Sequence, residues 1–322
     1  MMVKFRSLIS VCICVIVLLI IPFCVSAQDW WESDSTSEKT DKIVTTSDMV
    51  GENKVIKTAA RSNWENGYIE VMAGATADMS ETLSLGHAYS IATKTARHLA
   101  YEKLAETVTG LNLFSDATYD RELMIDSNLR TVLRAMIKNA VVVNETQKQF
   151  NDGSIWVEVT LGMKMFTNDG LIKPSVAWAD RFPVKINPPP EPITEPATVP
   201  VPPPLPATTE QYTGLVIDAT GLGANPAMLP KIYSVDGTIL YGTQKIDKEY
   251  IIRYGLMGYK SNIQDAKLTD RVGKHPLVVH ASGIKGKNKT DFIISSLDEA
   301  RIKQALEQID FFNECRVIAV LN

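Results

Sequence analysis

The sequence predicts an α+β protein, two small mixed domains joined by a proline-rich linker. Three observations carry that prediction. Ten of the nineteen residues from 188 to 206 are proline, a density that no packed domain tolerates and that extends as a polyproline-type spacer. On both sides of it, period-2 and period-3.6 apolar patterns are mixed without the regular strand–helix alternation of a parallel-sheet fold. The 322 residues, 45% hydrophobic and 22% charged, hold about two globular domains of ordinary composition.

Residues 1–27 read as a secretory signal peptide. Lys4 and Arg6 precede an apolar run from residue 8 to 21, Pro22 breaks it, and Val25-Ser26-Ala27 offers small residues for cleavage before Gln28. The alternative is an uncleaved anchor helix, the one membrane contact expected of the chain. A lipid-modified Cys24 is disfavoured, because a lipoprotein signal wants a small residue where Phe23 stands. Cys12, Cys14 and Cys24 leave with the signal, so Cys315 stays alone. Its setting in a strand-like run predicts burial rather than a disulfide. The charge balance is −4, and loss of Lys4 and Arg6 with no acid takes it to −6. Such a chain has no basic excess with which to neutralise phosphates, so no nucleic acid partner is expected.

Residues 28–66, rich in Ser, Thr, Asp, Glu and Lys, read as a flexible leader. Trp30 and Trp31 are its one apolar feature. The first domain is expected at 67–166. Tyr68-Ile-Glu-Val-Met-Ala73 alternates as a strand, and Asp78 with Glu81 suits a helix cap. Ala88, Ala92, Ala96, Leu99, Leu104 and Val108 then recur at helical spacing up to Gly110. The alanines predict close packing on a sheet. A second helical period runs through Leu123, Leu129, Val132, Leu133 and Met136. Ala140-Val-Val-Val143, the turn Asn151-Asp152-Gly153 and the alternating Ile155, Val157, Val159 and Leu161 predict a hairpin with one apolar face. Residues 155–161 are also a candidate open edge for self-assembly.

Residues 167–211 read as linker, proline-rich from 188 to 206, with a stretched reach of roughly 60 Å at ~3.1 Å per residue. It is expected to hold two modules apart. The second domain is expected at 212–322. Strands are predicted at 214–219, 276–281, 291–295 and 316–321, with a hairpin around Asp236-Gly237. Helices are expected around Ile251-Ile252 and around Ala266 and Leu268. A final helix is capped by Ser296 with Glu299.

The chemistry-bearing patterns each fall short, and no catalytic, cofactor-binding or metal-ligating set is assigned. Gly221-Leu-Gly223 lacks the third glycine of a dinucleotide turn, since position 226 is Pro; it reads as a turn needing positive φ. The loop from Gly283 to Lys289 has Ala281 and Asn288 where a phosphate loop needs Gly and Ser or Thr, and it reads as a solvated hairpin tip. His87 and His98 lie ~16 Å apart on one helix and cannot share a metal, and His275 and His280 show no ligand spacing. His280 with Ser282 is a weak nucleophile–base candidate. Asp116, Asp120 and Glu122 cluster, as does the turn from Asp218 to Gly223, where a glycan hydrolase would place its carboxylates.

Tyr68-Ile-Glu-Val, Gly74-Ala-Thr-Ala77, the alanine-spaced helix from His87 to Val108, Ile137-Lys-Asn-Ala-Val-Val-Val and the Asp152-Gly153 turn resemble the Lpp-twenty family of bacterial envelope lipoproteins. Tyr212-Thr-Gly-Leu-Val-Ile-Asp-Ala, Pro230-Lys-Ile-Tyr, Asp236-Gly237 and Asn313-Glu-Cys-Arg-Val-Ile-Ala-Val-Leu look like an exported module that accompanies it. Similar modules occur in the flagellar assembly protein T. The resemblance implies a non-catalytic envelope protein, periplasmic or secreted, that acts as an interaction or assembly module. Its partners would be other envelope proteins, flagellar or outer-membrane components among them, with no cofactor. The competing expectation is a cell-wall glycan hydrolase or small-ligand-binding protein.

Overall fold

A computed structural model describes residues 41–49, 55–77, 84–181 and 211–321. The α+β prediction holds. The first sheet is antiparallel and has five strands: β1 (Asp41–Met49), β2 (Val55–Asn63), β3 (Tyr68–Ala77), β6 (Val141–Gln149) and β7 (Ile155–Lys164), in the order β1-β2-β3-β7-β6. Helix α1 (Leu85–Thr109) lies across one face. Ala88, Ala92, Ala96, Ala100, Leu104 and Val108 are fully buried, one residue per turn. Methyl side chains let the helix axis approach Ile69, Val71 and Ala73 of β3 and Val157, Val159 and Leu161 of β7 closely. Ser84 caps α1 by accepting from His87 N at 3.2 Å. The expected cap at Asp78 and Glu81 lies outside the described residues, as do the signal segment and Trp30-Trp31. No helix among the described residues is long and apolar enough to cross a membrane.

Three expectations for this half are corrected. The leader 28–66 is not uniformly flexible, because β1 and β2 pair in register from Asp41↔Asn63 to Met49↔Val55 and β2 pairs on β3. Backbone ladder bonds and the buried Ala59 and Ala60 hold these polar strands in the sheet. The second helical period is broken into α2 (Tyr119–Ile125) and α3 (Ser127–Lys138). Asp126 ends the first and caps the second, accepting from Asn128 N at 2.9 Å and Leu129 N at 3.2 Å. Finally, residues 155–161 form no edge. β7 is interior and buried on both faces, and among the described residues the free edge beside it belongs to β6.

The linker boundary moves too. Residues 172–181 form α4 (Ile172–Arg181), with Ile172, Val176 and Trp178 buried. Pro174 sits in its first turn, where a missing N–H costs nothing.

The second sheet has seven strands in the order β10-β9-β13-β12-β8-β14-β11. They are β8 (Gly214–Asp218), β9 (Ile232–Ser234), β10 (Ile239–Tyr241), β11 (Gly258–Lys260), β12 (Pro276–Lys285), β13 (Asp291–Ile294) and β14 (Val317–Val320). Parallel pairs β12–β8, β8–β14 and β14–β11 make up one side, and antiparallel hairpins join β9 to β10 and β12 to β13. Helices α5 (Lys248–Tyr254), α6 (Ile263–Lys267) and α7 (Ser296–Leu306) complete the half. The last is capped by Ser295, one residue before the expected position; its hydroxyl accepts from Asp298 N at 3.1 Å.

The two halves are not held apart. A single apolar core runs through both. A small hairpin of β4 (Asn112–Phe114) and β5 (Ala117–Thr118) inserts into the second half. There Met228 N donates to Asn112 O at 3.0 Å and Leu229 N to Leu113 O at 2.8 Å. The Phe166 ring lies between Gly67 and Gly255, both at positive φ, where any Cβ would come within 2.5 and 2.7 Å of it. Trp64 meets Tyr259 edge-on at 5.7 Å. Ion pairs Lys260–Glu65 at 3.1 Å and Lys248–Asp180 at 2.7 Å flank the seam. The proline segment therefore joins halves that already touch, and it does not set their separation.

Candidate functional site

Two helices and the end of the first sheet enclose an apolar groove of about 980 Å³. Val132, Ala135 and Met136 of α3 form one wall, and Pro174 and Ala177 of α4 the other; Val141 and Met163 line the sheet side. Gly162 belongs there because a Cβ would collide with the Tyr68 hydroxyl and the Val143 side chain. Lys164, Asp169, Lys173 and Arg181 are the charged lining residues. Arg181 is spoken for, with Nη2 donating to Asp126 Oδ2 at 2.6 Å. Lys164 and Lys173 have no ion pair among the described residues. A turn brings their main chains together: Leu171 N bonds Lys164 O at 3.2 Å and Lys173 N bonds Gly170 O at 3.3 Å.

The groove opens beside the edge strand β6. Val141, Val142 and Val143 are 64%, 43% and 45% exposed, an apolar run at a free edge of the kind natural sheets usually avoid. The register shifts between Val142 and Asn144, so Val143 is bulged out. Farther along, Glu145 ties β6 to α1 through Arg97 Nη2 at 2.8 Å and the Tyr89 hydroxyl at 3.2 Å.

The residues singled out by sequence do not converge on this groove. Gly221 and Gly223 take φ of +77° and +69°, as the turn reading requires. His280 Nδ1 lies 3.2 Å from Asp218 Oδ2, its register partner on the parallel strand β8. Ser282 is not aligned with it; its hydroxyl donates to Ile293 O at 3.0 Å, where the β12 register slips between Ala281 and Gly283. His87 and His98 are exposed on α1, and His98 pairs with Glu102 at 3.3 Å. The three acids expected to cluster have different surroundings. Asp116 accepts from Lys287 N at 3.0 Å across the seam, Asp120 is exposed, and burial raises the Glu122 carboxyl above its ordinary value.

The lysine loop after Gly283 is not a solvated tip. Asn288 N donates to Ser115 O at 2.8 Å and Asn288 Nδ2 to Phe114 O at 3.2 Å. Gly286 has positive φ and abuts Ser115 where a Cβ would clash at 2.2 Å. The loop's backbone is the second half's grip on the first.

Sequence reasoning missed a polar cluster at the same seam. Asp291 is fully buried, accepts from Lys231 N at 3.0 Å, and leaves Oδ2 without a hydrogen bond. Burial pushes its carboxyl up to about 6. Lys231 is also buried, its Nζ unbonded and 5.7 Å from the centre of the Phe114 ring; desolvation lowers its pKa. Cys315 is buried as expected, and burial drives its thiol up to about 11. Among the described residues no group of three or more His, Cys, Asp or Glu is placed to hold a metal.

Comparison with protein families finds a match over residues 214–322, to the family described as the second domain of Treponema pallidum Tp0624. The match begins at the first residue of β8 and covers the whole second half. No curated protein matches the chain. Over its second half, the chain is similar to the second domain of Tp0624.

Proposed function

We propose that the chain is an exported bacterial envelope protein that works without catalysis, as an interaction or assembly module, and that its first domain is related to the Lpp-twenty lipoproteins. The observation that supports this reading is the free edge of β6, where three consecutive valines stand exposed. Apolar surface at an unpaired strand is costly to keep unless something covers it. Crosslinking in the native cell, followed by purification and mass spectrometry, tests the proposal. One or a few envelope proteins recovered in fixed proportion, and lost from a Val142→Lys chain, is the expected result. Recovery of the chain alone, or of the same set with Val142→Lys, refutes it.

A second reading, binding of a small ligand, is favoured by the groove beside β6. Its volume falls in the range of ligand pockets, about 300–1,000 Å³, and its lining is largely apolar.

A further inference from the structure

We infer that the groove between α3 and α4 binds a single-chain anionic amphiphile, with its acyl chain along the apolar walls and a monoanionic head against Lys164 and Lys173. The inference rests on the ligand-binding reading and names its chemistry.

Helix α3 carries more apolar surface than the core uses. Leu129 and Leu133 are buried, while Val132 and Met136, spaced i and i+4, turn a second stripe into the groove beside Ala135. The facing wall of α4 is small and smooth at Pro174 and Ala177. Met136 and Met163 supply deformable thioethers that accommodate a flexible chain. These walls suit an acyl chain better than a peptide. Helical backbone has already satisfied its own donors and acceptors, so a peptide main chain laid between α3 and α4 would lose its water and have only scattered side chains such as Asn128, Thr131 and Asn139 to bond. A hydrocarbon needs none.

The head is specified by charge. Of the four charged lining residues, Arg181 is neutralised by Asp126 at 2.6 Å. Lys164 and Lys173 remain without an ion pair among the described residues, and Asp169 is the one carboxylate of the lining. Two cations against one anion leave room for a single negative charge. The backbone bonds at Gly170 and Leu171 bring the main chains of the two lysines together, and both side chains line the groove.

Titration calorimetry on the full chain tests this with three probes of equal chain length, each below its micelle concentration: dodecanoate, dodecyltrimethylammonium and dodecyl maltoside. Saturable one-to-one binding of dodecanoate, in preference to the other two, is expected. Lys164→Gln with Lys173→Gln should weaken dodecanoate by about five- to tenfold, as expected for partly exposed ion pairs, and leave dodecyl maltoside unchanged. Ala177→Trp, at an exposed position, should fill the groove and abolish binding of every probe, with the far-ultraviolet circular dichroism spectrum retained. Equal binding of all three probes, or a double lysine variant that behaves as the parent, overturns the anionic head and leaves a ligand groove standing. Absence of saturable binding for every probe overturns both.

Discussion

Asp291 offers a test of the seam in which pH does the work. Its carboxyl is buried between Lys231 and the Ser115–Asp116 turn, and burial raises it from 3.8 to about 6. The unfolded chain releases this proton near 3.8 and the folded chain near 6. Below 3.8 both states hold the proton and the residue contributes no pH dependence. Between the two values the folded state holds it alone, so stability falls as pH rises. Above 6 both are ionised, and the folded state bears the full cost of the buried charge, about 3 kcal/mol at 1.36 kcal/mol per pH interval. Asp291→Asn keeps an oxygen to accept from Lys231 N and removes the charge, together with its attraction for the Lys231 ammonium. The value of about 6 already contains that attraction, so the variant should gain on the parent across pH 4 to 6 by up to about 3 kcal/mol, and the gap should then level off. Urea unfolding of both chains at pH 4, 5, 6 and 8 measures the difference directly. A gap that is flat across this range, or that narrows as pH rises, refutes the argument that Asp291 is a carboxyl made costly by burial.

Three further outcomes follow from packing and burial. Phe166→Ala should cost about 3 kcal/mol, and because the ring wedges between Gly67 and Gly255 the loss should lower a single thermal transition; two separate transitions in calorimetry would count against a shared core. Ala96→Leu, under α1 at full burial, should cost about 1–3 kcal/mol by overpacking, while Lys94→Leu on the exposed face should stay within about 0.5 kcal/mol, both read by urea unfolding. In a chain beginning at Gln28, where Cys315 is the one cysteine, a thiol reagent at pH 8 should label the folded protein at least about a hundredfold more slowly than the unfolded one, since the thiol is buried and its thiolate suppressed. Equal rates would put that side chain in solvent.

The fold was legible wherever one residue type had one physical role. Alanine every fourth position has little use on a solvated helix, so the stripe from Ala88 to Ala96 announced a close helix–sheet contact that the structure contains, with Ala100 rather than the expected Leu99 continuing it at full burial. Asp152-Gly153 and Asp236-Gly237 marked their hairpins because φ must turn positive there, and both glycines do so. The strands β1 and β2 were hidden for the opposite reason. Their Thr, Ser and Lys content has the composition of a leader, and what holds β2 is backbone pairing and two buried methyl groups. Helix α4 was masked by Pro174, which argues against a helix interior but not against a first turn.

The seam between the halves was illegible for a deeper reason. Met228 to Asn112, Leu229 to Leu113 and Asn288 to Ser115 are all bonds between main chains, and a main chain leaves no trace in residue identity. What the sequence did record was the space they require. Gly255 and Gly286 sit where a Cβ would strike Phe166 or Ser115 across the seam, and Gly67 seats the same Phe166 ring from its own half, yet each reads locally as an ordinary loop glycine. The groove had the same ambiguity, since Val132 and Met136 fit the helical period that also predicted core. Periodicity tells which side chains share a face; it does not tell which of two apolar faces is left uncovered. That distinction needed α4, the element the linker reading had absorbed. Once α4 stands opposite α3, the surplus apolar stripe becomes one wall of a cleft lined by Lys164 and Lys173, which have no ion pair among the described residues. The boundary error and the missed groove thus have a single cause.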